Sequence, residues 1–174
     1  SVVPEAMFLS LAGGATLCEF VQSEKFEYSR ILDLAFLASD RSGEHLPKLL
    51  EACGDENPIA RYWGALGCEI LGKEAAAKAA GDVRRLLDDS HAAVRLAATC
   101  ALYAMGFAEE TQQAALAELN RPHNDPESIM LINTLARVDA TDAIPESWLS
   151  RKTNGLEKNE YVRRFVERVK ASRV

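Results

Sequence analysis

No uninterrupted apolar run in the chain is long enough to cross a bilayer, which takes about 18–20 residues. A basic excess is also missing. The 20 Lys and Arg residues stand against 26 Asp and Glu, a formal net charge of −6, which excludes general nucleic-acid binding through a basic face. No basic segment precedes an apolar stretch in the manner of a secretion signal, and Ala6 to Cys18 reads as buried helix. No alternation of useful length points to a strand. What is there is ordinary for a folded protein: 174 residues, 48% hydrophobic and 26% charged, a length that predicts one domain with a sizeable core.

The charge is unevenly spread. It amounts to −4 over residues 1–44, −1 over 45–106, −6 over 107–150 and +5 over 151–174. The basic last segment is either a solvated face or a strip that docks on something acidic. The four cysteines, at 18, 53, 68 and 100, include no C-x-x-C pair and have no histidine to complete a metal set. Each sits in apolar sequence, so the expectation is reduced core cysteines, with one structural disulfide as the alternative.

The organisation is a repeat. Asp55-Glu56-Asn57-Pro58-Ile59-Ala60-Arg61 precedes an apolar segment that ends at Gly72; 34 residues later Asp89-Ser90-His91-Ala92-Ala93-Val94-Arg95 precedes one that ends at Gly106. A weaker third copy begins at Asp125, where Met130 stands in place of the arginine. In each copy a polar turn supplies a side chain to cap the next helix, and in the first and third copies Pro58 and Pro126 occupy a first-turn position that needs no N–H. Ile59, Trp63, Leu66 and Ile70, then Val94, Ala97, Ala101 and Met105, follow helical spacing. One helix pair cannot bury its apolar face alone, whereas stacked pairs can.

The D-x-x-P-x-x-R turn, the helix pairs and the closing glycine resemble HEAT-type repeats. The expectation is an all-α, right-handed HEAT-like α-solenoid of four to five helix pairs in a single domain over 1–174. Residues 1–44 form a degenerate first pair from helices at Pro4–Val21 and Phe26–Ser39. Two clear repeats occupy 45–106, a weaker third 107–150, and a basic closing helix 151–174, with Lys152-Thr153-Asn154-Gly155 as a loop. Gly13-Gly14 lacks the strand–loop–helix setting of a phosphate loop and marks a kink or a close helix contact.

The order of segments carries a second resemblance. Ile31 to Ser39, then Leu46-Pro47-Lys48-Leu49-Leu50, then Asp55 to Ala65, and finally Tyr161-Val162-Arg163-Arg164 look like the C-terminal helical repeat region of bacterial sulfatases of the heparan N-sulfatase, or sulfoglucosamine sulfohydrolase-like, type. That resemblance implies a parent enzyme that hydrolyses a sulfate ester or sulfamate, and a periplasmic or secreted location. Such enzymes carry a C-x-P-S-R or S-x-P-S-R motif and a calcium cluster of Asp, Asn and His, and neither occurs here. The implied role is therefore a non-catalytic region, with no catalytic, cofactor or metal residue carried over. It would pack on its own sulfatase catalytic domain or help place a substrate or partner, with a sulfated glycan as one ligand. The alternative is a stand-alone HEAT-repeat scaffold that binds another protein.

Asp55, Arg61, Asp89 and Arg95 are the sharpest positions. The arginines could grip an anion, but a ladder between adjacent repeats that sets stacking register explains them better. Tyr62, Trp63 and Tyr103 lie on second helices, where they either pack in the core or bind a glycan or partner helix. Arg163 and Arg164 join them as a candidate binding surface. His45, His91 and His123 read as exposed turn residues.

Overall fold

The computed structural model describes residues 4–24, 26–150 and 159–173, and these contain helices and turns and no strand. The chain is all-α. It divides into two compact units, residues 1–107 and 108–174.

The first unit holds α1 (Glu5–Leu11), α2 (Leu17–Gln22), α3 (Tyr28–Ser39), α4 (Leu46–Cys53), α5 (Pro58–Leu71), α6 (Lys73–Arg85) and α7 (Ala92–Met105). The expected helix over Pro4–Val21 is two helices. Gly13 and Gly14 both have positive φ, +58° and +91°, a backbone only glycine adopts cheaply, and α2 restarts behind a Thr16–Glu19 capping box. A Cβ on either glycine would meet nothing within 4 Å, so the pair makes a turn and not a close helix contact. Around it Phe8, Phe20, Phe26 and Tyr28 form a chain of ring contacts with centroids 5.7–6.0 Å apart, and Phe26 is wholly buried.

The two clear repeats fold as α4 with α5 and α6 with α7. Helix α5 packs on α3, α4, α6 and α7, and α4 also meets α6. Helices α4 and α5 approach closely at two glycines. A Cβ on Gly64 would lie 2.7 Å from the Leu49 carbonyl oxygen and 2.8 Å from the Cys53 nitrogen, and one on Gly67 would strike the Leu49 methyls. Helix α7 is buried almost all round, from Ala92 to Leu102 without a break. Gly106 ends it in the left-handed region, φ 105°, as the repeat pattern predicts.

The second unit holds α8 (Ala108–Glu118), α9 (Asp125–Arg137), α10 (Glu146–Leu149) and α11 (Glu160–Ala171). Helix α9 packs on α8 and on α11. The expected connector over Thr141–Trp148 is a 3-10 turn, Thr141–Ala143, followed by α10. In the closing helix Val162, Phe165 and Val169 are buried, whereas Tyr161 is 68% exposed. The predicted Lys152–Gly155 loop lies outside the described residues.

Candidate functional site

The turns ahead of α5 and α7 share an aspartate and an arginine but differ at the cap: Asn57 Oδ1 accepts from the Ile59 N–H, whereas His91 makes no side-chain cap, contrary to expectation. Asp55 Oδ1 accepts a hydrogen bond from the Asn57 N–H at 2.7 Å, and Asp89 Oδ1 from the His91 N–H at 2.8 Å. Each is the two-residue reach by which aspartate closes a turn on its own backbone. One helical turn later an arginine reaches back over the same loop. Arg61 Nη1 donates to the carbonyls of Asp55 and Glu56 at 2.8 and 2.9 Å. Arg95 Nη1 donates to those of Asp89 and Ser90 at 2.8 and 3.2 Å. Carbonyls that the helix cannot use are satisfied by a charged donor.

Arg61 also links the two repeats. Its Nε donates to Asp89 Oδ2 at 2.5 Å and its Nη2 to Asp89 Oδ1 at 3.1 Å, a paired contact in which the Asp89 side chain is only 5% exposed. Burial alone pushes the Asp89 carboxyl up. The Arg61 hydrogen bonds, the His91 N–H and the Arg61 charge outweigh that and hold it below the usual aspartate range. The guanidinium is thus spent on protein partners, which argues against Arg61 as an anion grip.

The ladder has a rung that sequence reasoning missed. Arg30 on α3 pairs with Asp55 and, at 2.6 Å, with Glu27. Arg30 therefore stands to the Asp55 turn as Arg61 stands to the Asp89 turn. Its signal in the sequence was slight, because the segment around it lacks the D-x-x-P-x-x-R frame. Asp55 does not pair with Arg61 through its carboxylate; Arg61 takes only its carbonyl.

The third copy differs from its expected form. The cap of α9 is Asn124, in a reciprocal box with Glu127 at 2.8 and 2.9 Å. Arg61 and Arg95 lie four residues past their caps, Asn57 and His91. Four past Asn124 is Ser128, and not Met130. Ser128 is buried and its Oγ donates to the Asn124 carbonyl at 2.9 Å.

The aromatic residues are half-buried: Tyr62, Trp63 and Tyr103 each keep part of their surface. Tyr62 stands edge-on to Trp63 with centroids 5.8 Å apart, and burial, followed by Glu69 and Cys100, pushes its hydroxyl up, so it stays neutral. Arg163 and Arg164 belong to the second unit. Both pair with Glu160 on their own helix, and Arg163 also reaches Glu167 at 3.3 Å. That makes them an exposed charge network along α11. The residue of this segment with longer reach is Arg173, whose Nη2 meets the carbonyls of Thr141, Asp142 and Ile144 at 2.9–3.0 Å.

The histidines depart from the expected exposed turns: His45 and His91 are half-buried beside Asp40 and Asp89. His123 is not an exposed turn residue: its side chain is 5% exposed and its Nε2 lies 3.1 Å from Glu118 Oε2. Glu118 is a buried carboxylate and needs such partners, with Arg121 a second at 3.2 Å. Cys18 is not a core cysteine, because it lies on the exposed side of α2, while Cys53, Cys68 and Cys100 are buried free thiols.

An open groove of about 630 Å³ lies beside the Asp55 turn, with Phe20, Pro58 and Ile59 among its apolar walls and Glu24, Glu27 and Glu56 among its acids. Arg30 is held there by Glu27 and Asp55. Among the described residues, no three His, Cys, Asp or Glu side chains converge as a metal set would, and no helix is long and apolar enough to cross a membrane. Comparisons with protein-family models, with curated proteins and with solved structures returned no match.

Proposed function

We propose that the chain is a non-catalytic, HEAT-like repeat region whose turns are tied together by an arginine–aspartate ladder. It belongs to a sulfatase-like hydrolase of the heparan N-sulfatase type, where it packs on the catalytic domain or helps place a substrate or partner. The observation that carries the repeat reading is the paired Arg61–Asp89 contact. It joins the second helix of one copy to the turn that opens the second helix of the next. The packing of α4 on α6 and of α5 on α7 supports the same reading. The parent enzyme rests on the order of segments from Ile31 to Ala65 and the Tyr161-Val162-Arg163-Arg164 close.

The test of the parent is the reading frame that encodes the chain. A C-x-P-S-R or S-x-P-S-R motif upstream in that frame is the expected finding, and a complete frame without one overturns the sulfatase reading. The isolated chain should release no sulfate from sulfated oligosaccharides; turnover would contradict a non-catalytic role. Titrating such an oligosaccharide while following Trp63 fluorescence separates a glycan-placing role from a purely packing one.

The stand-alone scaffold is favoured by one observation of its own. Helix α3 exposes Tyr28 by 51% and Phe36 by 67%, large apolar surfaces of the kind that protein partners cover. A frame with no catalytic motif, together with a partner lost on Phe36→Asp substitution, would establish that reading.

A further inference from the structure

Helices α4 and α5 cross at Gly64, and the crossing brings two thiols together. Cys53 ends α4, and its Sγ lies 2.9 Å from where a Gly64 Cβ would be. Cys68 is four residues beyond Gly64 on α5. A helical side chain leans toward the N-terminus of its own helix, over the preceding turn. Cys68 therefore points back over Gly64, where the Cys53 sulfur sits. Both residues are buried, at 5% and 0% exposure, and each thiol shifts the ionisation of the other, Cys53 upward and Cys68 downward. A side chain larger than glycine at position 64 would hold the helices apart.

We propose that Cys53 and Cys68 form a redox-sensitive pair that closes to an intrachain disulfide when a small peroxide oxidises it, stapling α4 to α5. Burial favours a small, neutral oxidant such as hydrogen peroxide over a bulky disulfide reagent, because both residues are almost fully covered. The Cys68 thiolate attacks the peroxide O–O bond, giving a sulfenic acid and releasing hydroxide, which takes up a proton as water. The Cys53 sulfur then attacks the Cys68 sulfur, the S–O bond breaks, and a second water leaves with the Cys53 proton. Both sulfurs together lose two electrons, and the peroxide gains them. The division of roles follows from this mutual shift. Cys68, with burial, pushes Cys53 up, and Cys53 draws Cys68 down, so Cys68 ionises first while Cys53 keeps its proton. The closed loop constrains the unfolded chain and so stabilises the fold. None of this depends on the parent enzyme proposed above.

The experiment treats the full chain with hydrogen peroxide at neutral pH and compares intact mass, non-reducing peptide maps and melting curves. The expected product is lighter by two hydrogens, contains a Cys53–Cys68 linked peptide, melts higher than the reduced chain, and reverts with dithiothreitol. Cys18→Ser and Cys100→Ser should still form the link, and Cys53→Ala and Cys68→Ala should not. If either alanine variant fails to fold, the wild-type peptide map still decides. Both thiols remaining open to alkylation after denaturation while Cys18 has oxidised would overturn the proposal. So would oxygen added to Cys68 with no link to Cys53.

Discussion

In residues 45–106 each second helix begins with an aspartate turn and an arginine four residues past the cap. In α9 the same start is made by the Asn124–Glu127 box and Ser128. Both arrangements satisfy a carbonyl at the helix start; Asn57 and Asn124 also cap first-turn N–H groups of α5 and α9, whereas His91 caps none in α7. Only the arginine has the length and the spare donors to do a second job, and Arg61 uses them to hold the Asp89 turn of the next copy. A serine closes its own turn and stops there. The difference is that Arg61 joins two copies as well as closing its own turn, whereas Ser128 closes its turn alone. The second unit relies instead on an apolar stripe along α11 and on Arg173 at the turn carbonyls.

The largest expected effect tests that last point. Phe165→Ala empties a buried site on α11 and should cost about 3–5 kcal/mol in the stability of the 108–174 unit, read from denaturant unfolding. A loss within experimental error would mean that α11 is not held by its apolar stripe.

In the first unit the corresponding test is backbone approach. Gly64→Ala places a methyl against backbone atoms of α4 and should cost about 2–3 kcal/mol. Gly81 on α6 meets nothing within 4 Å, so Gly81→Ala should stabilise by about 0.5–1 kcal/mol. Equal effects at the two positions would remove the distinction drawn between them.

Acid sensitivity tests the Asp89 turn. The folded Asp89 carboxyl is held below its unfolded value. Its contribution is therefore complete above the ordinary aspartate range, and is lost as pH falls below about 4 and through the depressed value. Asp89→Asn should be less stable at neutral pH and flatter on that acid limb in a pH series of melting temperatures. An acid limb as steep as the wild type's would assign the sensitivity elsewhere.

The smallest effect belongs to the exposed network on α11. Arg164→Ala should change stability by no more than about 0.5 kcal/mol, and less in high salt. A larger loss would make that face a packed surface and not a solvated one.

Much of the first unit was legible because its signals are local. An aspartate two residues before the helix cap, an arginine one turn in and a glycine at the end each act on neighbouring backbone, so their spacing carries their meaning. The Asp–Arg positions and their pairing between adjacent copies were legible, but the Arg30 rung was not. Arg30 reaches Asp55 across helices, and nothing near Arg30 in the sequence announces it. Arg173 escaped for the same reason, since its carbonyl partners lie about thirty residues away, whereas His123 pairs with Glu118 only five residues earlier and was hidden by its burial. The break at Gly13-Gly14 was readable in principle, because two adjacent glycines favour a turn over a continuous helix. Cys18 sits in an apolar run whose helix turns it outward, and apolar neighbours alone could not place it. The α9 register slipped because Asp125 and Pro126 imitate the earlier turns, while the cap itself falls on Asn124.

The claim that arginine and aspartate couple successive copies is tested most directly by a double-mutant cycle on Arg61→Ala and Asp89→Ala, measured by denaturant unfolding at neutral pH and low salt. Each single change should destabilise by about 3 kcal/mol, because it leaves the other charge buried and unpaired. The double mutant should be less damaged than the sum of the two, with a coupling of about 1.5 kcal/mol or more. Strict additivity would contradict the ladder, whatever the individual losses.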